Sequence, residues 1–162
     1  MQNFEFAYER LPKTQLPGAI QQLIASAEAA AENAYAPYSR FKVGAAVLLT
    51  DGTTITGSNH ENASYPVGIC AERAALAALD MSNKANKVKA IAITYKANRN
   101  THDNPVAPCG MCRQAILEVQ QWQDAPVAIY MHGPNNEVIY VENAGYLLPF
   151  SFGSGDLHTV KA

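Results

Sequence analysis

Cys70-Ala71-Glu72 and, further downstream, Pro108-Cys109-Gly110-Met111-Cys112 together hold every cysteine of this 162-residue chain. Two cysteines separated by two residues bring their sulfurs to one zinc-sized site, because the chain turns just enough between them. Cys70 offers a third sulfur. Three protein ligands on a four-coordinate ion leave one position for water, the mark of a catalytic rather than a structural zinc. Glu72, two residues from a ligand, is in reach of that water as a proton carrier without itself binding the metal. Three is an odd number, so any disulfide scheme strands a thiol, whereas metal ligation uses them all and suits a reducing compartment. A redox reading of Cys109-Gly110-Met111-Cys112 leaves Cys70 unexplained.

The elements around these stretches follow from periodicity. Cys70 opens a helix expected to run to about Met81, in which Ala74, Leu76, Ala77, Ala78 and Leu79 predict burial on most sides. Cys109 opens another, to about Gln121. Both helices then carry cysteine in the first turn, where the positive end of the helix dipole favours thiolate. Between them Val88 to Tyr95 reads as a strand and residues 96–107 as a polar connection. Upstream, Asp51-Gly52 is a tight-turn dipeptide joining Val43–Thr50 to Thr53–Gly57 as a hairpin. Before that, Leu16, Ile20, Leu23, Ile24 and Ala27 lie on one side of a helix lasting to about Ala34, with Pro17 in its first turn and Pro37 beyond its end.

Downstream, Val127–Met131 and Glu137–Val141 are joined through Gly133-Pro134-Asn135-Asn136, far short of the roughly dozen-residue crossover that a parallel pair needs. These last two strands are therefore expected to be antiparallel. The whole reads as an α/β chain with a single domain over residues 16–162. Residues 1–15 precede it as an extension expected to pack loosely or against a neighbouring subunit.

Composition narrows the partners. The chain is 48% hydrophobic and 16% charged, with a formal net charge of −2 and a pI near 6.1. Phosphate backbones call for a basic surface, so the expected partner is a small molecule and not a nucleic acid. No stretch approaches the roughly 20 apolar residues of a membrane span, and none opens with a basic segment followed by an apolar run. A cytoplasmic protein with no membrane partner is expected.

Cys70-Ala71-Glu72-Arg73 and Pro108-Cys109-Gly110-Met111-Cys112-Arg113-Gln114 resemble the cytidine and deoxycytidylate deaminase family, in its short, single-domain, three-cysteine form; the pattern is the established one of zinc deaminases. The resemblance runs from about Leu16 to His158. It implies a three-layer α/β/α fold on a mixed five-stranded sheet whose last two strands are antiparallel. In the free-nucleoside branch of this superfamily that antiparallel end is usual, whereas the branch acting on polynucleotides inserts a helix there. The resemblance further implies one Zn2+ per subunit and a homotetramer with active sites shared between subunits. The implied reaction is hydrolytic deamination of cytidine and deoxycytidine to uridine and deoxyuridine plus ammonia, a step of pyrimidine salvage.

Residue roles follow from the same resemblance. Cys70, Cys109 and Cys112 bind the metal, and Glu72 carries protons from water to N3 of the ring and then to the departing amine. Asn59 and Glu61, within Gly57-Ser58-Asn59-His60-Glu61-Asn62-Ala63-Ser64-Tyr65, hydrogen-bond the ribose hydroxyls. Phe41, within Tyr38-Ser39-Arg40-Phe41-Lys42-Val43-Gly44, packs against the base, and the backbone of Ala71 meets the ring edge. Phe152 reaches into a neighbour's site. Zinc on three thiolates carries a formal charge of −1, and Arg73 is the residue that would offset it by donating to the sulfurs. Three features depart from the family: the extra residues 1–15, His60 where an aliphatic residue is common, and Phe150 where a glycine is usual.

Without the resemblance several of these residues read as ordinary. Phe41 would be core, Arg73 a solvated charge, Trp122 packing, and His60, His102, His132 and His158 loop histidines. Three rivals stand beside the deaminase: an enzyme of the same chemistry on another aminated nucleoside such as a blasticidin-type antibiotic, a non-enzymatic zinc module with a histidine as fourth ligand, and a dithiol oxidoreductase.

Overall fold

Successive residues of a strand point to opposite faces, and in β2 (Phe41–Leu49) both faces are apolar. Ala45, Val47 and Leu49 enter one hydrophobic core, while Ala46 and Leu48 enter another. A computed structural model, which describes residues 1–97 and 104–157, builds the molecule around this two-sided strand. β2 pairs antiparallel with β3 (Thr54–Ser58) and with β4 (Val88–Ala97). The hairpin turns at Gly52, whose φ of 89° suits glycine, and the Asp51 carboxylate accepts the Thr53 N–H at 2.8 Å.

β4 is parallel to β5 (Ala128–His132), reached through α3 (Gly110–Gln123), and β5 is antiparallel to β6 (Glu137–Val141), as the short connection requires. The strand order is β1-β6-β5-β4-β2-β3. The sheet therefore has six strands, not five. The extra one is β1 (Glu9–Pro12), which runs antiparallel along β6 from Glu9 opposite Tyr140 to Pro12 opposite Glu137. This corrects the expectation of a loosely packed extension. The Arg10 guanidinium meets the Glu137 carboxylate at 2.6 Å, Leu11 packs against the core, and Phe6 lies 5.9 Å from the Tyr146 ring.

α1 (Gly18–Glu32) covers one face of the sheet, with Leu23, Ile24 and Ala27 against Ala46, Ala90 and Ala92. α2 (Ala71–Leu76) and α3 cover the other, with Ala71, Ala75, Ile116 and Val119 against Val47, Ile91, Ile93 and Ile129. Two glycines allow the helices to lie this close. A Cβ on Gly44 would sit 2.0 Å from the Ala27 carbonyl oxygen, and one on Gly57 would sit 2.4 Å from the Ala75 nitrogen. The three-layer α/β/α expectation holds.

α2 is shorter than its alanine content predicts. It ends at Leu76, and Ala77 and Ala78 are exposed rather than buried, with only Leu79 returning to the core. The chain then turns at Asp80, whose carboxylate accepts the N–H and the hydroxyl of Ser82 at 2.9 and 2.6 Å. Short-range capping of that kind competes with helix continuation. Beyond β6 a 3-10 turn (Ala144–Leu147) and a brief helix α4 (Ser154–Leu157) carry the tail back along α3. Among the described residues no helix is long and apolar enough to cross a membrane.

Candidate active site

Cys70 and Cys109 are the residues immediately before α2 and α3, each with extended backbone, and Cys112 lies in the first turn of α3 with no exposed surface. Their sulfurs converge. Cys70 Sγ is 3.8 Å from Cys109 Sγ, Cys109 Sγ is 3.5 Å from Cys112 Sγ, and all three lie within 4.8 Å of one another. A tetrahedral zinc with Zn–S bonds of about 2.3 Å holds its sulfurs about 3.8 Å apart. The cluster fits that ion. Burial pushes the Cys112 and Cys70 thiols up; at Cys109 burial acts in the same direction, but hydrogen bonds from the Cys112 backbone N–H and from the neighbouring thiols outweigh it and lower the result. With thiolate disfavoured at two of the three positions, the charge of a bound cation is what turns them into ligands.

Glu72 stands beside this cluster at 4% exposure. Burial pushes its carboxyl above the usual carboxylate range, opposed by its own backbone N–H and by Cys112. Among the described residues no lysine or arginine forms an ion pair with it.

Glu72, Cys70 and Cys109 border a cleft of ≈ 820 Å³ whose other walls include Phe41, Asn59, Glu61 and Ala71. That is within the usual range for small-molecule sites, about 300–1,000 Å³. Each wall residue is tied down. The Phe41 ring stacks on Tyr95 with centroids 4.9 Å apart and planes 15° from parallel. The Asn59 side chain accepts the Val43 N–H at 2.7 Å and donates to the Phe41 carbonyl at 3.0 Å. One oxygen of Glu61 accepts the N–H groups of Tyr38 and Ser39 at 2.8 and 3.2 Å, and hydrogen bonding led by Ser39 holds this carboxyl below its usual range.

Two sequence-predicted residues are not part of this gathering. Phe152 is 60% exposed on the tail, away from this chain's own cleft, with its carbonyl held by the Gln114 side chain at 2.9 Å. Arg73 is half-buried, and among the described residues it forms no hydrogen bond to any of the three sulfurs. Phe150, at the position where glycine is usual, has φ 55° and is fully exposed, so a bulky side chain occupies a left-handed backbone.

The histidines divide. His60 is exposed in the loop at the cleft, as expected, whereas His132 is a buried strand residue and corrects the loop reading. Its Nδ1 lies 3.1 Å from the Thr94 hydroxyl and 3.4 Å from Glu28, while Nε2 has no hydrogen-bond partner among the described residues. Neither joins the sulfur cluster. His102 and His158 lie outside the described residues.

Sequence reasoning missed several lining residues. Tyr38 lies at the rim, edge to face with Tyr65 at a centroid distance of 6.1 Å, Val106 and Ala107 line the wall, and Met111, between Cys109 and Cys112, faces out at 63% exposure. A residue between two converging ligands has to face away from them, which is the signal that marks Met111. Arg113 was equally unassigned; it donates to the Pro108 carbonyl at 2.8 Å and to the Leu147 carbonyl at 2.9 Å.

Three sulfurs at helix starts beside a buried carboxyl, on a mixed sheet covered by helices on both faces, define a zinc enzyme of the deaminase class. Residues 18–128 match the family model of the cytidine and deoxycytidylate deaminase zinc-binding region, and the chain belongs to that family. It is 41% identical over 138 residues to a cytidine deaminase of Halalkalibacterium halodurans, covering 85% of this chain and 97% of that one. It is 39% identical over 136 residues to a cytidine deaminase of Mycobacterium tuberculosis, covering 82% and 88%. Among solved structures, the cytidine deaminase from Burkholderia pseudomallei superposes with a TM-score of 0.70 at 41% identity, covering 82% of this chain and 98% of that one.

Proposed function

We propose that this chain hydrolyses the ring amino group of cytidine and deoxycytidine, giving uridine and deoxyuridine plus ammonia, as a step of pyrimidine salvage in the cytoplasm. The observation that carries the reading is that one buried carboxyl, Glu72, borders both the three-sulfur cluster and a cleft of nucleoside size. When held by Cys70, Cys109 and Cys112, zinc supplies Lewis acidity that makes water a nucleophile near neutral pH. Glu72 accepts a proton from that water on a carboxylate oxygen and delivers it to N3 of the ring, which makes C4 electrophilic. The hydroxide oxygen adds to C4, and Glu72 then takes the proton of the added hydroxyl and hands it to the amine, so that the C–N bond breaks and ammonia leaves as the C4 carbonyl forms. Burial suits this double duty, because it raises the carboxyl's hold on a proton toward that of the groups it exchanges with.

The cleft walls supply recognition. Asn59 spends one lone pair and one amide hydrogen on backbone, which leaves one of each for a ribose hydroxyl. Glu61 has a second carboxylate oxygen for the same sugar. Phe41, braced by Tyr95, forms a flat wall for the base, and the Ala71 backbone meets the ring edge. Arg73 turns to the sulfurs to offset their charge. The exposed Phe152 closes a neighbour's cleft, which makes the working unit a homotetramer with shared sites.

The test is incubation of purified, metal-analysed protein with cytidine, deoxycytidine and cytosine, following ultraviolet absorbance and ammonia. Turnover of the two nucleosides, with little of the free base, is expected. Ammonia from none of them, in protein that carries one zinc per chain, refutes the proposal; turnover confined to an antibiotic nucleoside moves the substrate while keeping the chemistry.

A further inference from the structure

Three side-chain hydrogen bonds made near the start of α3 serve no substrate, and all three hold backbone. Arg113 follows directly on the ligand Cys112, and its guanidinium spans two distant carbonyls: Nε donates to Pro108, the residue just before Cys109, and Nη1 donates to Leu147, the last residue of the 3-10 turn that starts the tail. Gln114, next in sequence, donates to the Phe152 carbonyl at 2.9 Å. Gly153 then lies so close to α3 that a Cβ there would come 2.7 Å from the Gln121 side chain. Pro108 itself is fully buried, so its carbonyl needs a partner from inside the protein.

We infer that Arg113, helped by Gln114, is a positioning residue that clamps the Pro108–Cys109 metal loop to the C-terminal tail, so that zinc occupancy and tail order are coupled. The physical basis is the guanidinium's planar fork. Its N–H groups are fixed relative to one another, so the two carbonyls it bridges move together. Zinc held by Cys109 and Cys112 immobilises the first turn of α3 and with it Arg113, and the same bonds pass that order to Leu147 and onward to residues 148–153. The coupling is reciprocal, as any linkage of two equilibria is.

The test uses the full chain, zinc-loaded and zinc-stripped, in the parent protein and in Arg113→Ala, Arg113→Lys and Gln114→Leu. Two quantities are read: the rate of zinc transfer to a chromogenic chelator, and amide hydrogen exchange along the chain. Arg113→Ala is expected to release zinc about 10–100-fold faster, the usual effect of losing support behind a metal ligand. Its amides at residues 145–157 should exchange roughly tenfold faster with β2 and β4 unchanged, a pattern that merely lowered global stability does not give. Arg113→Lys should restore part of both, because an ammonium reaches one carbonyl at a time. Gln114→Leu should loosen the tail and, through the reciprocal coupling, speed zinc release by less than Arg113→Ala does. Stripping zinc from the parent should speed tail exchange, and in Arg113→Ala it should add little. The inference is overturned if tail exchange in the parent ignores zinc, if Arg113→Ala releases zinc at the parent rate, or if exchange rises equally in every element. Should Arg113→Ala fail to fold, parent-like zinc release and tail exchange in Arg113→Lys overturn it equally.

Discussion

Gly57→Ala separates the packing of the site from the packing of the fold. Gly57 sits in β3 opposite Ala45, and an added Cβ would lie 2.4 Å from the Ala75 nitrogen and 2.5 Å from the Ala71 carbonyl oxygen. Ordinary contact for a Cβ begins at 3.4 Å, so α2 has to move by about 1 Å, and because both obstacles are backbone no side-chain rotation relieves it. Overpacking of this kind costs about 1–3 kcal/mol, which at about 2–4 °C per kcal/mol lowers Tm by roughly 2–12 °C. α2 follows directly on Cys70 and carries Glu72, and a displacement of about 1 Å at reacting groups costs on the order of 10²-fold in rate. Gly44→Ala is the matched control: its Cβ would lie 2.0 Å from the Ala27 carbonyl oxygen, but the helix it displaces is α1, which holds no ligand. Calorimetry of the zinc-loaded proteins, zinc content after dialysis and kcat on cytidine make the comparison. Both variants should melt lower, and only Gly57→Ala should lose zinc and about two orders of magnitude in kcat. If Gly57→Ala keeps its zinc and its turnover, or if Gly44→Ala loses them equally at the same Tm, the placement of α2 does not govern the site.

Glu72→Gln should bind zinc normally and lose about 10²–10⁴-fold or more in kcat, and its zinc-free form should melt above the zinc-free parent, since a carboxyl is harder to bury than an amide; parent-like turnover removes Glu72 from its role. Asn59→Ala strips partners from the Phe41 carbonyl and the Val43 N–H, each worth roughly 1 kcal/mol, so Tm should fall by several degrees and KM should rise more than kcat falls; an unchanged KM removes Asn59 from ribose binding. His132 is held neutral: burial pushes its pKa below the ordinary 6.5, against the pull of Glu28. The unfolded chain therefore gains a proton near pH 6.5 that the folded protein refuses, and stability present above that pH is lost as pH falls from 6.5 toward the depressed folded value. The facing groups are Thr94 on β4, Glu28 on α1 with its partner Lys13, and Asn136 after β5. A fall in Tm between pH 7 and 5 that persists in full in His132→Gln assigns the effect elsewhere.

What could be read without coordinates was whatever chemistry fixes by spacing. Two cysteines two residues apart, a third beside a glutamate, Asp51-Gly52 between apolar runs, and a connection too short for a crossover each leave one geometric solution, and each solution is the one found. What escaped depends on partners distant in sequence. Glu9–Pro12 carries one apolar residue besides its proline, and its strand exists because β6 offers an edge and Glu137 a carboxylate. α2 stops at Leu76 because the capping by Asp80 and Ser82 beyond it outcompetes alanine's helix propensity. His132 falls one residue beyond the expected Val127–Met131 strand and just before the Gly133-Pro134-Asn135-Asn136 turn, and only the packing of α1 over the strand ends buries it. The stack of Phe41 on Tyr95 needs the β2–β4 register, which no local pattern reveals.

The groups of the cleft fall into two kinds, and the contrast argues for catalysis. Asn59 and Glu61 are held by backbone on one side and turned to the cleft on the other, so the sugar-facing wall is rigid before any ligand arrives, which reduces the ordering cost of binding. Glu72 pairs with no lysine or arginine among the described residues, and burying it lowers the stability of the metal-free protein. A structural zinc site would have no use for it. Such a site closes with four protein ligands, whereas this one gathers three sulfurs and no described histidine. An open coordination position alone could belong to a damaged structural site, and a buried carboxyl alone could be an accident of packing. Their adjacency in one cleft is explained only by a reaction that uses both, a water at the metal and an acid to move its protons.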